Sequence, residues 1–349
     1  MNITVELGER SYDVVLANGA RHELAKLIRS RAPRAQTVAI VTSPSLRNQP
    51  WFGFDSGLNE CVIEVPDGEG AKTLATLDEL CERLAGVQLS RHDVIVAVGG
   101  GAVTDLAGFA AAVYLRGVAL VQVPTSLMGQ VDAAIGGKTA VNLAAGKNLV
   151  GAFHQPLGVL CDFDTLSTLP ERERLSGLGE VAKCCLLEGW RATQVVDVSL
   201  SDLAIMSVRL KANIVSGDEK ESGQRALLNY GHTLAHAIEV LALERDIDEL
   251  RHGEAVAVGL AFAARLAHRL GRIEQGEVEN HDALLGAFGL DARLPAHSAT
   301  SDLVGAMGQD KKAHHDLTFV LASANGFDLV RDIDADVVAT VLDEFRGEL

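Results

Sequence analysis

Short runs of β-branched and apolar residues alternate with helical patterns through the first half of the chain. The apolar runs fall at residues 37–41, 61–65, 93–98 and 119–123. Amphipathic spacing typical of helices occupies residues 72–86 and 104–114. Strands that are continuously apolar are buried on both faces, as in a parallel sheet covered by helices. The pattern therefore predicts an α/β, doubly wound, Rossmann-like domain.

The composition changes near residue 166, where long stretches rich in Ala, Leu, Glu and Arg begin. Helices are expected at 200–216, 223–243, 252–271 and 277–288, and a strand at 317–322. A chain of 349 residues also exceeds what one hydrophobic core usually organises. We therefore expect two domains, residues 1–165 and a mainly α-helical domain at residues 166–349.

Charge and cysteine content exclude several classes of protein. The net charge of −16 argues against nucleic acid as a partner, although a local cationic cluster can still bind a small anion. The five cysteines have no regular spacing, so free thiols are expected. No signal-peptide pattern and no apolar run of about 18 residues is found. We expect a cytoplasmic protein without a membrane partner.

A cluster of imidazoles and carboxylates occupies the otherwise apolar segment 225–254. His232 and His236 stand at i and i+4, so one helix face would present both. Together with His252 and a further side chain, such residues could hold a divalent metal. The spacing is not that of a zinc protease, because no Glu follows His232 directly. Helix-surface or hydrogen-bonded core histidines remain the alternative.

A glycine-rich turn, Gly99-Gly100-Gly101, follows a predicted strand and opens a predicted helix. Such a turn lets a phosphate approach the backbone at a helix N-terminus. It differs from the G-x-G-x-x-G fingerprint, so a tight strand–helix turn remains the alternative. The turn at 66–73 carries charged side chains that could hold a ribose or phosphate, or could simply be solvated.

Two lysines, Lys138 and Lys147, lie in a second glycine-rich stretch with Arg116 upstream. The segment ending at Thr139 is similar to the tail of a nucleotide-binding P-loop. Asp132 stands where that motif needs its first glycine, so the nucleotide-triphosphate interpretation fails. The simpler interpretation is an anion-binding cleft.

Taken in order from about residue 66 to residue 320, these motifs resemble the 3-dehydroquinate synthases of the sugar phosphate cyclase superfamily. The segments that carry the resemblance are 98–110, 114–117, 123–127, 130–132, 136–139, 146–153, 180–183, 218–222, 229–233, 252–255 and 310–312. The resemblance implies a dehydroquinate synthase-like fold, with NAD bound by the first domain and a divalent metal, Zn²⁺ or Co²⁺, at the cleft to a metal- and substrate-binding second domain.

The resemblance also implies a role for individual residues. The metal ligands would be Glu180, His232 and His252, so the i,i+4 pair would not chelate together. The cofactor contacts would be Asp67, Gly68, Glu69, Lys72, Gly99, Gly100, Gly101, Ala102, Val103, Thr104, Asp105, Thr125, Ser126, Lys138, Lys147, Thr165, Leu166, Ser167 and Thr168.

The substrate implied by the resemblance is the anionic sugar phosphate 3-deoxy-D-arabino-heptulosonate 7-phosphate. Its conversion to 3-dehydroquinate, in the shikimate pathway to aromatic amino acids, combines transient oxidation by NAD⁺, loss of phosphate, re-reduction and aldol ring closure. Phosphate contacts would be Lys138, Asn229, His236, Lys311 or Lys312, and Arg116 from the neighbouring subunit of a homodimer. Arg225 would bind the carboxylate. The remaining catalytic residues would be Asp132, Asn148, Lys183, Lys211 and Glu221.

Other activities stay open. The span from Lys183 to Lys211 is shorter than expected, which favours an aminodehydroquinate synthase of the aminoshikimate (3-amino-5-hydroxybenzoate) pathway. Asp132, Lys138, Lys183 and Asn142 retain the ordinary type, so we prefer dehydroquinate synthase. The same Lys138 segment disfavours cyclases that make 2-deoxy-scyllo-inosose or epi-valiolone. From other classes, an NAD- and metal-dependent polyol dehydrogenase or a non-catalytic NAD-binding scaffold remains.

Overall fold

A computed structural model describes residues 1–144, 146–245, 247, 250–296, 298–309 and 316–348. The predicted substrate contacts Lys311 and Lys312 lie outside these described residues. Chain contacts divide the protein into two compact units. The first unit contains Met1–Pro170 and Ala204–Lys220, and the second contains Glu171–Leu203 and Glu221–Leu349.

The strands and helices have the following bounds. The strands are β1 (Asn2–Val5), β2 (Tyr12–Ala17), β3 (Thr37–Thr42), β4 (Asn59–Glu64), β5 (Val94–Gly99), β6 (Ala119–Pro124), β7 (Lys138–Leu143), β8 (Gly146–Phe153), β9 (Gly158–Asp162), β10 (Asp316–Ser323) and β11 (Gly326–Asp334). The α-helices are α1 (Leu24–Arg31), α2 (Pro44–Arg47), α3 (Leu74–Gly86), α4 (Gly101–Val113), α5 (Glu171–Leu187), α6 (Ala192–Val195), α7 (Leu200–Gly217), α8 (His232–Glu244), α9 (His252–Arg269), α10 (Gln275–Ala287), α11 (Thr300–Gln309) and α12 (Ala335–Glu348). Short 3-10 or π turns lie at Gly8–Arg10, Ala20–Glu23, Glu69–Ala71, Tyr114–Arg116, Gly129–Ala133, Phe163–Thr168 and Gln224–Asn229.

A seven-stranded sheet in the order β1-β2-β9-β6-β5-β3-β4 forms the centre of the first unit. Strand β1 pairs antiparallel with β2, and the other pairings in the sheet are parallel. Every residue of β5 is buried, as its continuous apolar sequence predicts. The predicted doubly wound α/β architecture is confirmed.

Both faces of this sheet are covered. Ala39, Val41 and Ile95 face a core that contains residues of α3 and α4. The alternate side chains, such as Val38 and Ile40, face a core that contains residues of α1. Because consecutive residues of a strand point to opposite faces, both sets must be apolar. This explains why the predicted strands read as unbroken hydrophobic runs.

The division between the units differs from the predicted boundary after residue 165. Helix α7 contributes Val208, Ala212 and Val215 to a core that includes Tyr12 and other residues of β1 and β2. The Ser216 hydroxyl also accepts a hydrogen bond of 2.8 Å from the Glu6 amide. Residues 204–220 therefore belong to the first unit, although their helical sequence pattern resembles that of the second unit.

The second unit is mainly α-helical around α9, which packs against α5, α8, α10, α12 and β10. The predicted single helix at 223–243 is wrong, because the chain breaks before α8. Gly231 has a φ of +80°, a left-handed conformation that an uninterrupted helix cannot contain. A short 3-10 turn, Gln224–Asn229, precedes the break.

All five cysteines are free, as expected from their irregular spacing. Within the described part of the chain, we find no helix with the length and apolar content needed to cross a membrane.

Candidate functional site

Three potential metal ligands converge within the second unit. Glu180 lies in α5, while His232 and His252 are the first residues of α8 and α9. One ligand atom from each lies within 4.8 Å of the others. The Nε2 atoms of His232 and His252 are 3.4 and 3.5 Å from Glu180 Oε1. The structure thus brings together the three residues that the resemblance assigned to the metal.

Glycine contacts allow the ligand-bearing helices to approach each other. A methyl group on Gly253 would overlap the carbonyl oxygen of Ser176, and one on Gly179 would overlap the carbonyl oxygen of Gly253. Helices α5 and α9 therefore meet backbone to backbone. The contact directly adjoins Glu180 and His252 in sequence, so it determines how closely these ligands can approach.

A second glycine contact places His232. A methyl group on Gly259 of α9 would overlap the carbonyl oxygen of Gly231, the residue that precedes His232. The left-handed φ of Gly231 also turns the chain sharply at the start of α8. Helix α9 therefore contacts the chain next to two ligands and supplies the third.

The Nδ1 atom of each ligand histidine has an acceptor of its own. His232 Nδ1 lies 3.1 Å from the carbonyl oxygen of Tyr230, and His252 Nδ1 lies 3.2 Å from Glu239 Oε2. With a metal bound, Nδ1 would carry the proton of each ring, which would leave the Nε2 lone pair of each ring for the cation. Metal-ligating histidines commonly have such acceptors.

The electrostatics of the trio differ from ligand to ligand. Burial raises the pKa of Glu180, but Lys183 and the two imidazoles outweigh this effect and hold the pKa well below its ordinary range. Burial, followed by the charge of Lys183, lowers the pKa of His232 to about 3. Burial also lowers the pKa of His252, but Glu180 and Glu239 overcome it and raise the pKa to about 10. Without a cation, His232 is neutral and His252 is charged.

This donor set fits a divalent transition metal. The Glu180 carboxylate is buried, and neither of its oxygens has a hydrogen bond of good geometry among the described residues. Its close ionic partner is Lys183. A buried carboxylate in this position needs cationic compensation. One carboxylate and two imidazoles suit Zn²⁺ or Co²⁺ and leave coordination positions for another molecule.

The other predicted residues of the second unit lie as follows. The His236 ring centroid is 5.4 Å from that of His232 and 6.3 Å from that of His252. Asn229 Nδ2 donates to Glu221 Oε1 at 2.8 Å, and the Arg225 side chain is fully buried. Glu221 has a φ of +58°, which is unusual for a residue other than glycine and is typical of functional sites.

In the first unit, the glycine turn lies where ligands bind in open α/β sheets. Strands β3 and β5 are neighbours, but β3 leads to β4 on one side and β5 leads to β6 on the other. The crevice at their carboxyl ends is therefore a topological switch point. Gly99, Gly100 and Gly101 occupy this crevice and begin α4, the helix that contains Ala102, Val103, Thr104 and Asp105.

Neighbouring loops pack tightly against the glycine turn. The Thr125 amide donates to the Gly99 carbonyl at 3.0 Å. A methyl group on Gly100 would lie 3.3 Å from Ser126 Oγ. These contacts fix the turn and bring Thr125 and Ser126, two further predicted cofactor residues, beside it.

A buried lysine connects several predicted cofactor residues. Lys72 Nζ lies 2.7 Å from Asp105 Oδ2, 2.6 Å from Asn148 Oδ1 and 3.4 Å from Glu69 Oε1. Burial lowers the pKa of Lys72, but Asp105 and Glu69 outweigh it and raise the pKa. Asn148 has a φ of +57°, so the β7–β8 hairpin is held to Lys72 by a strained residue.

The remaining predicted cofactor residues of the first unit occupy its loops. Asp67, the residue before Gly68, accepts a hydrogen bond from the Ser45 hydroxyl. Thr165 is buried, whereas Ser167 and Thr168 are exposed. Thr168 Oγ1 accepts a hydrogen bond of 2.8 Å from Trp51, and Leu166 lies in the same 3-10 turn.

Two predicted substrate residues of the first unit form an ion pair, and three cations predicted to contact substrate or cofactor are exposed. Lys211 Nζ lies 2.5 Å from Asp132 Oδ1 and 2.6 Å from the Asp132 carbonyl oxygen. Arg116, Lys138 and Lys147 are exposed. Arg116 has a φ of +65° after Leu115 at +49°, a strained turn that ends in a cation.

Sequence reasoning missed the contact partners that support the ligands. Glu239 lies on the helix face predicted from the His232–His236 spacing, but nothing in the sequence pairs it with His252 rather than with a basic side chain. Glu254, which lies closer to His252 in sequence, instead accepts from the Arg251 amide at 2.7 Å and faces Arg172. The glycine contacts depend on helix packing and have no sequence signal beyond the glycines.

Comparison with known proteins identifies the family of the chain. Residues 62–176 match the family model described as 3-dehydroquinate synthase N-terminal, and residues 177–313 match 3-dehydroquinate synthase C-terminal. A provisionally named aminodehydroquinate synthase of Amycolatopsis mediterranei (strain S699) is 49% identical over 98% of this chain and 93% of its own. The 3-dehydroquinate synthase of Mycobacterium leprae (strain TN) is 43% identical over 89% of this chain and 88% of its own.

Two solved structures share the fold over their full lengths. A 2-deoxy-scyllo-inosose synthase complexed with carbaglucose-6-phosphate, NAD⁺ and Co²⁺ has a TM-score of 0.84 at 25% identity, covering 99% of this chain and 100% of that one. A 2-epi-5-epi-valiolone synthase from Streptomyces hygroscopicus subsp. jinggangensis 5008, with NAD⁺ and Zn²⁺ bound, has a TM-score of 0.81 at 25% identity, covering 98% and 99%. The predicted resemblance and the dehydroquinate synthase-like fold are confirmed. From the two family models and the identities to its relatives, we conclude that the chain belongs to the 3-dehydroquinate synthase family of enzymes.

Proposed function

We propose that the protein is a 3-dehydroquinate synthase that converts 3-deoxy-D-arabino-heptulosonate 7-phosphate into 3-dehydroquinate and phosphate. The observation that carries this proposal is the convergence of Glu180, His232 and His252, within 4.8 Å, in a chain whose family relatives have this activity in their names. Solved cyclases of the same fold were crystallised with NAD⁺ and Co²⁺ or Zn²⁺. We assign the same kinds of cofactor to this chain.

The second unit would hold the cation and the first unit the dinucleotide. Glu180, His232 and His252 would bind Zn²⁺ or Co²⁺. When bound, NAD⁺ would accept and return a hydride, and the cation would polarise a substrate oxygen. The glycine turn at Gly99–Gly101 would take the pyrophosphate, because backbone N–H groups at the start of α4 favour an anion.

Cationic side chains would bind the anionic ends of the substrate. In this proposal Lys138, Asn229, His236 and the partner's copy of Arg116 bind the phosphate, together with Lys311 or Lys312. Arg225 binds the carboxylate by its two-pronged guanidinium. The Asp132–Lys211 pair and the Glu221–Asn229 pair are preassembled through the contacts described above, and they would orient hydroxyls and move protons. Lys183, beside Glu180, would do the same, and Asn148 completes the set.

A second candidate is an aminodehydroquinate synthase, whose substrate has an amine where the usual one has a hydroxyl. The 49% identity to the provisionally named aminodehydroquinate synthase supports it, as does the short span from Lys183 to Lys211. We prefer the plain substrate, because the ordinary residue types are retained at Asp132, Lys138, Lys183 and Asn142.

Turnover of the two sugar phosphates, measured as phosphate release by the NAD⁺- and Zn²⁺-loaded enzyme, tests this proposal. We expect the plain substrate to be converted with a higher kcat/KM and without accumulation of NADH. A higher kcat/KM for the amino sugar phosphate would assign the aminoshikimate branch. NADH that accumulates in proportion to product would instead indicate a polyol dehydrogenase, and the absence of turnover of either substrate would contradict the proposed function.

We further propose that two copies of the chain form a homodimer through the outer face of the β7–β8 hairpin. Leu149 and Phe153 lie four residues apart in β8, so their side chains point to the same face of the strand. They are 58% and 45% exposed. Leu115 and Val113, near Arg116, are each 43% exposed. Exposed apolar side chains that form one contiguous patch mark a protein interface, and we propose that these side chains do so. The free thiols suit a reducing compartment, so we also infer a cytoplasmic enzyme, which cell fractionation tests.

A further inference from the structure

The two ligand imidazoles differ in how firmly they are held. The His232 side chain is 11% exposed, whereas that of His252 is 34% exposed. A partly exposed ring can rotate or change tautomer unless another group fixes it. The group that contacts its Nδ1 atom therefore decides whether Nε2 faces the cation.

That group is Glu239, a carboxylate buried on α8. Its side chain is 8% exposed, and Oε2 lies 3.2 Å from His252 Nδ1. Glu239 follows His232 by seven residues, or about two helical turns, so both lie on one side of α8. One helix face thus supplies a ligand and also the acceptor for a ligand on the neighbouring helix.

The corresponding acceptor for His232 is uncharged. It is the carbonyl oxygen of Tyr230, at 3.1 Å from Nδ1. A carboxylate acceptor makes an imidazole a stronger donor to a metal than a carbonyl acceptor does, because it adds negative charge to the site. The two histidines would therefore contribute unequally to metal binding, because only His252 has a carboxylate, that of Glu239, as its Nδ1 acceptor.

We propose that Glu239 is a positioning residue of the metal centre, which orients His252 and raises the affinity of the site for a divalent cation. This inference rests on the proposed function, since it requires that Glu180, His232 and His252 bind a metal. Glu239 does not touch the cation; it acts through the His252 ring. The Glu239–His252 pair also connects α8 to α9 at the ligands themselves.

The test is metal affinity, measured on metal-free protein by competition for Zn²⁺ with a chromogenic chelator. Titrations at several pH values separate the geometry of the site from competition by a proton. We expect Glu239→Ala to weaken Zn²⁺ binding about 10- to 100-fold, the range found for such supporting groups. Glu239→Gln should bind better than Glu239→Ala, because an amide oxygen still accepts from Nδ1. The Co²⁺ absorption spectrum of either variant should shift as the ligand field changes.

Glu254→Gln is the matched control. Glu254 is also an acid of this region, two residues after His252, but it contacts Arg172 and the Arg251 amide. We expect wild-type Zn²⁺ affinity and an unchanged Co²⁺ spectrum. Equal affinity in both Glu239 variants and the wild type would overturn the inference and leave the three ligands in place. Equal weakening by Glu254→Gln would also overturn it, since the effect would then belong to the start of α9. A wild type that binds no Zn²⁺ would instead contradict the proposed function.

Discussion

At the scale of single residues, the charge of His252 sets the chemistry of the site. Burial lowers the pKa of His252, but the carboxylates of Glu180 and Glu239 raise it to about 10. Below that pH the metal-free ring carries a second proton and is positively charged, yet only a neutral imidazole can bind a metal. His232 needs no such change, because burial and Lys183 keep its pKa at about 3. Cation binding must therefore displace a proton from His252.

We predict that Zn²⁺ or Co²⁺ binding at about pH 7.5 releases close to one proton per ion. The apparent affinity should rise as the pH increases toward the pKa of His252, by about tenfold per pH unit, because each proton competes with one cation. Titration calorimetry in buffers of different ionisation enthalpy measures the proton directly. Binding without proton release over this pH range would show that His252 is neutral before the metal arrives.

At the scale of elements, close helix packing positions the ligands. Helix α9 meets α5 at Gly179 and Gly253, and it meets the turn before α8 at Gly231 and Gly259. Gly179, Gly231 and Gly253 each adjoin a proposed metal ligand in sequence, and Gly259 packs against Gly231. The glycines therefore allow the ligand-bearing helices to approach closely, and a larger residue would push them apart.

We predict that Gly253→Ala separates α5 from α9 and lowers the affinity for Zn²⁺ by more than tenfold. The added methyl group would overlap the Ser176 carbonyl oxygen, and overpacking of this kind typically costs about 1–3 kcal/mol of unfolding free energy. Thermal unfolding and chelator competition measure the two effects. Gly286→Ala in α10 is the control, because a methyl group there meets no atom within 4 Å. A Gly253→Ala protein with wild-type stability and metal affinity would refute the packing argument.

The same packing explains which elements could be predicted from the sequence. Strands β3 and β5 were predictable, because burial on both faces requires continuous apolar runs. Helix α5 was not, since its residues from Ser176 to Leu186 are all buried and show no amphipathic period. The β7–β8 hairpin was missed because lysines, asparagines and glycines interrupt its apolar residues, so neither strand has a continuous apolar run. The break at Gly231 has no signal other than the glycine itself.

The candidate site was predictable to a different degree. Ligand types and order were apparent from the family resemblance, which depends on motifs far apart in the chain. The contacts of Glu239 and Glu254 could not be deduced, since both acids lie at plausible distances from His252 in sequence. Only the packing of α8 on α9 decides that Glu239, rather than Glu254, reaches the ring.

At the scale of the whole molecule, the proposed dimer would complete the phosphate site with the partner's copy of Arg116. We predict that the double variant Leu149→Glu, Phe153→Glu is monomeric, because it places charges on the exposed apolar face of β8. Sedimentation velocity compares the variant with the wild type, which we expect to be a dimer. Val196→Glu, at a position that is 70% exposed in the second unit, should remain dimeric. A double variant that stays dimeric would place the interface elsewhere.

The proposed chemistry requires one cation, which Glu180, His232 and His252 would hold. The most direct measurement is the Zn²⁺ content per chain after reconstitution and removal of excess metal, with NAD⁺ affinity measured on the same samples. We predict about one ion per wild-type chain, and almost none in Glu180→Ala or His252→Ala, because two remaining protein ligands hold Zn²⁺ weakly. NAD⁺ affinity should stay near the wild-type value in both variants. A Glu180→Ala or His252→Ala protein that retains a full equivalent of Zn²⁺ and normal turnover would contradict the account.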